Sequence, residues 1–220
     1  MSLIQVTFAD GSVHDIASGV SAGEALAGAE GKGAVAAVID GVERDLATEL
    51  SASCTLSGIE AASEAGLHIL RHSCSHLLAQ AVTELHPEAR PTIGPAIEHG
   101  FYYDFHMDPI GEEELRAITK RMKQLGKENL AVVREEHTGD SLREMFSHNP
   151  FKLELMDDKL EDGAGSSVYR QGEFVDLCRG PHVPSTSHLR WFRITSTSTA
   201  FWRADSSREN LVRIYGICFA

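Results

Sequence analysis

The 220-residue chain reads as an α+β protein in two parts, a small module over residues 1–62 and a larger one over 63–220. Three observations carry that reading. Short apolar or alternating runs such as "LIQVTF", "AVAAVI" and "FVDL" are separated by Asp-Gly and other glycine turns, the pattern of strands and hairpins. Other stretches place apolar residues three and four apart, the period of a helix packed on a core. Between the two parts, "SASCTLSGIEAASEAGL" at 51–67 is poor in bulky residues and reads as a connector.

In the small module, "LIQVTF" is a strand, "ADGS" a turn, and "VHDI" resumes the alternation, so the pair is a hairpin. "SAGEALAGA" sets Ser21 three residues before Glu24, a capping box for a short helix. "AVAAVIDGVERDL" supplies a second hairpin around Asp40-Gly41. Hairpin, helix and further strands resemble the ubiquitin-like β-grasp. The module holds no cluster of catalytic residue types, which leaves it a binding or spacing role.

The larger module opens with a helix carrying "RHSCSHLLAQAV" at 71–82 and stopping before Pro87. "IGPAIEHGFYYDF" follows, an extended segment that sends Tyr102 and Tyr103 to opposite sides. In "GEEELRAITKRMKQLGKEN", Leu115, Ile118, Met122 and Leu125 form one helical stripe suited to core packing. "LAVVREEH" reads as a strand and "SLREMF" as a short helix. "FKLELM" alternates and reads as a strand that sets Lys152 among apolar neighbours. After the loop "EDGAGSS", the segments "SVYRQGEFVDLCRGPHVP" and "WFRITSTSTAFWRAD" are rich in strand formers, so a mainly antiparallel sheet with packed helices is expected.

Composition narrows the class. Hydrophobic residues make up 42% and charged residues 24%, as in soluble globular proteins. No apolar run approaches the length of a membrane span, and "MSLIQVTFADGS" lacks the basic start and apolar core of a signal peptide. Four cysteines without paired spacing read as reduced thiols of a cytoplasmic protein. The net charge of −12 argues against nucleic acid, but it is unevenly spread. Residues 1–62 hold 2 basic and 9 acidic side chains, whereas 170–220 hold 7 arginines against 4 acids. Arginine is the residue best suited to bidentate phosphate contacts, although dispersed arginines also form ordinary solvated surface.

Two short motifs carry chemistry. His72 and His76 are four apart, so a helix presents both on one face, one turn from each other. Cys178 and His182 are also four apart, in "CRGPHVP", where Gly180 and Pro181 make a turn able to aim both inward. Three imidazoles and one thiol suit a tetrahedral zinc site. They suit equally a metal-free site that positions water and moves protons. Either pair alone is a weak signal, and a lone HxxxH on an apolar helix is more often packing than function. Asp176 shares the side of Cys178 on an extended strand and is able to orient an imidazole or accept a proton. Lys152 would meet an oxygen-rich substrate group or extend to solvent. Residue chemistry leaves a hydrolase-like site and a zinc site both open.

"RHSCSHLLAQAV", "IGPAIEHGFYYDF", "FVDLCRGPHVP", "FWRAD" and "VRIYGICFA" occur in the order and spacing of the N-terminal half of bacterial-type threonyl-tRNA synthetases, which the chain resembles over essentially its whole length. The two His/Cys pairs also resemble the editing domain shared with alanyl-tRNA synthetases. Residues 1–62 are similar to the TGS module that precedes it. Ser75, where relatives often carry alanine, and the ending "ICFA" depart from the common pattern without touching the presumed chemistry.

The resemblance implies a function. A synthetic site discriminates serine from threonine by a single methyl group, worth only about 1–3 kcal/mol, so a second site must hydrolyse Ser-tRNA(Thr) and spare Thr-tRNA(Thr). It implies that His72, His76, Cys178 and His182 line that site, with Asp176, Lys152 and Tyr103 beside them. His72 and Asp176 would handle water; Lys152 and His182 would position substrate. The threonyl branch implies no metal for editing. ATP, magnesium and zinc would belong to an aminoacylation core that lies beyond these residues. Expected partners are the acceptor end of tRNA(Thr) carrying serine and the rest of a dimeric synthetase, with no membrane. A zinc-dependent trans-editing hydrolase of the alanyl type and a non-catalytic tRNA-binding module are the competing readings.

Overall fold

The structure, a computed structural model, describes residues 2–29, 33–160 and 164–220. The first three residues of the expected loop at 161–167 lie outside them. Backbone contacts divide the chain into two units, residues 1–70 with 180–184 and 220, and residues 71–179 with 185–219. The whole is α+β, with five α-helices and mostly antiparallel sheets among the described residues.

In the first unit, β1 (Leu3–Phe8) and β2 (Val13–Ala17) form the expected hairpin. α1 (Ala22–Ala29) opens on a capping box: the Glu24 N–H donates to the Ser21 hydroxyl at 3.3 Å, and the Ser21 N–H donates to the Glu24 carboxylate at 3.1 Å. β3 (Ala34–Ile39) and β4 (Val42–Arg44) turn at Asp40 and Gly41, both at positive φ, as a tight two-residue hairpin turn requires. The expected connector at 51–67 is corrected here. It contains β5 (Cys54–Glu60), which lies between β1 and β3 in the order β2-β1-β5-β3-β4 and runs parallel to β1. Its serine, threonine and glycine hid a strand that needs only Leu56 and Ile59 to reach the core. That core joins Ile4, Val6, Phe8, Leu26, Leu50 and Leu56, each worth about 1.5–3 kcal/mol when fully buried.

The helix α2 (Glu64–Leu85) begins in the first unit and ends in the second. Then come β6 (Arg90–Pro91), β7 (Ala96–Ile97), β8 (Gly100–His106), α3 (Glu112–Glu128), β9 (Val132–His137), α4 (Gly139–Met145) and α5 (Pro150–Lys159). The chain closes with β10 (Ser166–Gln171), β11 (Phe174–Leu177), β12 (Phe192–Phe201) and β13 (Asn210–Cys218). One sheet orders β12-β13-β8-β6, with β7 also on β8; a second orders β11-β10-β9. β8 alternates as expected. Phe101, Tyr103 and Phe105 are fully buried on one face, while Tyr102 stacks under the Arg213 guanidinium at 3.9 Å on the other. The α3 stripe is core packing, with Ile118, Met122 and Leu125 buried.

"FKLELM" is a helix, not a strand, so Lys152 sits on α5. Asn149 caps it by accepting from the N–H groups of Phe151 and Lys152 at 3.1 and 3.4 Å, and Pro150 fills the first turn. The false alternation has a physical source. α5 lies between two apolar clusters, with Phe151 and Leu155 meeting Trp202, and Leu153 and Met156 meeting Leu142 and Val168. A helix buried on two sides carries apolar residues at positions that mimic a period of two.

Much of the arginine-rich end is paired within the fold. Arg170 pairs with Glu135 at 2.6 Å, Arg208 with Glu154 at 2.7 Å, and Arg213 with buried Asp104 at 2.7 Å, while Arg203 joins Glu154 and Asp158. Four of the seven arginines thus answer carboxylates of the fold rather than standing clear for phosphate.

Candidate active site

The second unit gathers six of the seven singled-out residues from four elements. α2 presents His72 and His76 from one face, their rings perpendicular with centroids 5.2 Å apart. β11 sends Asp176 inward, and Cys178 follows just past its end with Sγ 3.4 Å from His72 Nε2. The Cys178 backbone is fixed by Ser167, whose carbonyl accepts from the Cys178 N–H at 3.2 Å and whose hydroxyl donates to the Cys178 carbonyl at 2.6 Å. β8 brings the Tyr103 hydroxyl and α5 the Lys152 ammonium, 3.1 Å apart.

Asp176 is the hub. Its carboxylate accepts from the Tyr103 hydroxyl at 2.5 Å, forms an ion pair with Lys152, and lies 3.7 Å from His76 Nε2. Burial alone would raise the Asp176 pKa. The charges of Lys152 and His76, with hydrogen bonds from Lys152 and Tyr103, outweigh it and hold the carboxyl below its ordinary value. Burial pushes His76 down to about 4, against the pull of Asp176 and with the help of Lys152. His76 is therefore a neutral imidazole at neutral pH, and Lys152 is the charge that keeps Asp176 ionised there. The Tyr103 hydroxyl is pushed well up by burial and by the Asp176 charge, so it remains a donor.

His182 lies four residues past Cys178, across the cis Gly180–Pro181 bond, in a segment that belongs to the first unit. It is buried, and its N–H donates to the Asp45 carboxylate at 2.9 Å.

The ligand atoms of His72, His76 and Cys178 lie within 4.8 Å of one another. The 3.4 Å between Cys178 Sγ and His72 Nε2 is close to the ligand-to-ligand edge of a zinc tetrahedron, about 3.5 Å from usual bond lengths. The donor set fits zinc as well as it fits a proton relay. Cys74, also on α2, turns elsewhere and meets Cys218, Sγ to Sγ 3.1 Å.

Sequence reasoning missed three contributors. Ser167 and Gly94 have no chemistry to mark them, although Gly94 is the second residue of "IGPAIEHGFYYDF". A Cβ on Gly94 would fall 2.0 Å from the Tyr103 ring, so only glycine lets that ring reach Asp176. Ser75 is the third: its hydroxyl lies 2.7 Å from the His72 carbonyl and 2.6 Å from the Gly94 carbonyl. A cavity of about 460 Å³ adjoins the cluster, lined by Thr92, Ile93, Lys152, Ser166, Cys178 and Arg179 among others. Such a volume admits a small polar ligand.

A family described as the threonyl and alanyl tRNA synthetase second additional domain matches residues 166–215, which include Asp176, Cys178 and His182. The threonine–tRNA ligase of Thermoplasma acidophilum is 46% identical over 188 residues, covering 86% of this chain and 28% of the relative. That of Thermoplasma volcanium is 52% identical over 157 residues, covering 71% of the chain and 23% of the relative. That of Streptococcus thermophilus is 41% identical over 219 residues, covering 97% of the chain and 34% of the relative. The chain thus spans between about a quarter and a third of the length of these relatives. With a matching second additional domain and 41–52% identity to these ligases along most or nearly all of its residues, the chain is homologous to threonine–tRNA ligases over the part of their length that it spans.

Proposed function

We propose that this chain is the editing region of a threonine–tRNA ligase, and that its site hydrolyses Ser-tRNA(Thr) to serine and tRNA(Thr). The observation that carries the reading is the run of contacts that starts at buried Lys152, Tyr103, Asp176 and His76, passes by an edge-to-face ring contact to half-buried His72, and ends at half-buried Cys178, set beside a cavity. Buried titratable groups tied into one network are what proton transfer requires and what simple RNA binding does not.

The aminoacyl ester is already activated, so the site needs a placed water and a partner for the oxyanion. His72, half-buried at the edge of the cluster, is assigned to take a proton from water as the oxygen attacks the ester carbonyl. The tetrahedral intermediate then collapses, the terminal ribose oxygen leaves, and that oxygen receives the proton. Lys152, with protons beyond those on Asp176 and Tyr103, is assigned to the substrate oxygen. Asp176 is ion-paired with Lys152, accepts from Tyr103 and has its basicity lowered, which suits it to orienting His76 better than to accepting the proton of water. His182 is included as a substrate-positioning residue through its four-residue tether to Cys178. Serine would enter the cavity and the extra methyl of threonine would be refused.

This reading needs no metal. A zinc-dependent variant of the same hydrolysis is the second reading, favoured by the spacing of the His72, His76 and Cys178 donors. There zinc would be held by those residues and supply an acidified water. ATP, magnesium and a further zinc are assigned to the two thirds or more of the relatives' length that this chain does not span, as are the aminoacylation of tRNA(Thr) with threonine and a homodimer interface. The first unit is read as a TGS β-grasp domain, supported by its strand order and its single parallel pair, β1 with β5. A cytoplasmic location follows from the same reading, and no described helix is long and apolar enough to cross a membrane. Deacylation of Ser-tRNA(Thr) without ATP, with and without chelator, tests the reading and separates its two forms.

A further inference from the structure

The pairing of Arg170, Arg203, Arg208 and Arg213 with carboxylates leaves open which surface of this acidic chain meets a polyanion. α3 answers it. Arg116, Lys120, Lys123 and Lys127 recur at spacings of four, three and four residues, so they lie along one exposed line of the helix, about 16 Å from first to last. Arg116 pairs with Glu112 at 3.2 Å, but Lys120 and Lys123 have no carboxylate partner among the described residues. Arg116, Lys120 and Lys123 face β12, the outer strand of its sheet. Leu115, Arg116, Thr119, Lys120, Lys123, Ile194 and Thr195 line a groove of about 440 Å³ between the two elements.

β12 suits the same ligand. A bulge between Ile194 and Ser196 interrupts its pairing with β13 at Thr195, which joins the groove wall. Ser196, Ser198 and Thr199 beyond it are exposed hydroxyls, and exposed Arg193 precedes it without an ion-pair partner among the described residues. A line of cations over an apolar floor, with Thr119 and Thr195 hydroxyls in the groove wall, matches a phosphodiester backbone with its 2′-hydroxyls better than it matches an acidic peptide.

We propose that the groove between α3 and β12 is a binding surface for the phosphodiester backbone of RNA, with Lys120 and Lys123 as its principal phosphate contacts. The proposal rests on the editing reading for the identity of the RNA, a tRNA bearing an aminoacyl end. It is independent of that reading for the surface itself. Neither lysine belongs to the His72–Asp176 cluster.

The test uses the 220-residue chain, the variant Lys120→Glu/Lys123→Glu, uncharged tRNA(Thr), Ser-tRNA(Thr) and a short seryl ester of adenosine. The variant is expected to bind tRNA at least about tenfold more weakly at low salt, and the slope of log affinity against log salt to fall by about 2. Hydrolysis of the short ester is expected to stay at the wild-type rate, which also shows that the variant folds. Unchanged tRNA affinity and salt slope in the variant would overturn the proposal, as would equal competition by polyglutamate and tRNA. A wild-type chain that binds tRNA through these lysines yet hydrolyses neither ester would overturn the editing reading and support the groove.

Discussion

The Tyr103 hydroxyl on β8 donates to the Asp176 carboxylate on β11 at 2.5 Å, joining two sheets of the second unit at the centre of the candidate site. Lys152, from α5, completes the triangle by meeting both groups. Three buried polar side chains from three separate elements therefore satisfy one another, and each depends on the others. A buried carboxylate without its cation is costly, because the desolvation penalty stays when the attraction is removed.

Lys152→Met is therefore expected to destabilise the chain by about 3–5 kcal/mol at neutral pH. Lys152→Met/Asp176→Asn, which removes the orphaned charge too, is expected to recover part of that loss, while deacylation stays low in both. Urea unfolding of the three proteins checks this. A single variant as stable as the wild type would show that Lys152 and Asp176 do not act as a pair.

Acid should weaken the fold through His76. Its folded pKa, about 4, is below the ordinary 6.5, so between those values the unfolded chain binds a proton that the folded chain does not. Stability from this group is complete above about pH 6.5 and declines by roughly 3 kcal/mol as pH falls to about 4. Asp176, whose pKa is also lowered in the fold, adds a further loss below the ordinary carboxyl range near 3.8. His76→Gln is expected to flatten the decline between pH 6.5 and 4, measured by unfolding across that range. An equally steep decline in the variant would assign the acid sensitivity elsewhere.

Gly94→Ala places a methyl group 2.0 Å from the Tyr103 ring, closer than any contact allows. The ring must shift from Asp176, and overpacking of this kind costs typically about 1–3 kcal/mol. Deacylation is expected to fall together with stability, whereas Tyr103→Phe, which keeps the ring and loses the hydroxyl, should lower turnover with a smaller loss of stability. Ester turnover and unfolding of both variants check this; full activity in Gly94→Ala would show that the ring has room to move.

Arg213→Met tests the ion-pair assignment of the arginine-rich end. Its guanidinium holds buried Asp104 with two hydrogen bonds, at 2.7 and 2.8 Å. The variant is expected to lose about 2–4 kcal/mol of stability and to keep its salt-dependent affinity for tRNA. Weaker tRNA binding in a folded variant would return Arg213 to a phosphate-contact role.

Where one face of an element was buried, the sequence was legible. The two hairpins of the first unit, the capping box of Ser21 and Glu24, the alternation of β8 and the stripe of α3 all follow local rules that packing reinforces. α5 was misread because two clusters bury opposite sides of it, and β5 was overlooked because a central strand flanked by two others needs few bulky side chains. At the site, the His72/His76 face followed from helical spacing alone. The convergence of Tyr103, Lys152 and Asp176 did not, since their hydrogen bonds connect residues 49 and 73 positions apart and no local pattern records such a distance. Resemblance to threonyl-tRNA synthetases named those residues; it said nothing of Gly94, which leaves room for the Tyr103 ring, or of Ser167, which fixes the Cys178 backbone.

The measurement that reaches the central claim most directly is deacylation of Ser-tRNA(Thr) against Thr-tRNA(Thr) by this chain, with and without a chelator, beside a His72→Ala control and a short seryl ester of adenosine. The account predicts loss of serine only, unaffected by chelator and reduced at least about a hundredfold in the control, the low end of what a positioned acid–base group contributes. Equal hydrolysis of both aminoacyl-tRNAs, or undiminished activity in His72→Ala, would contradict it. Activity abolished by chelator and restored by zinc would transfer the site to the metal-dependent form.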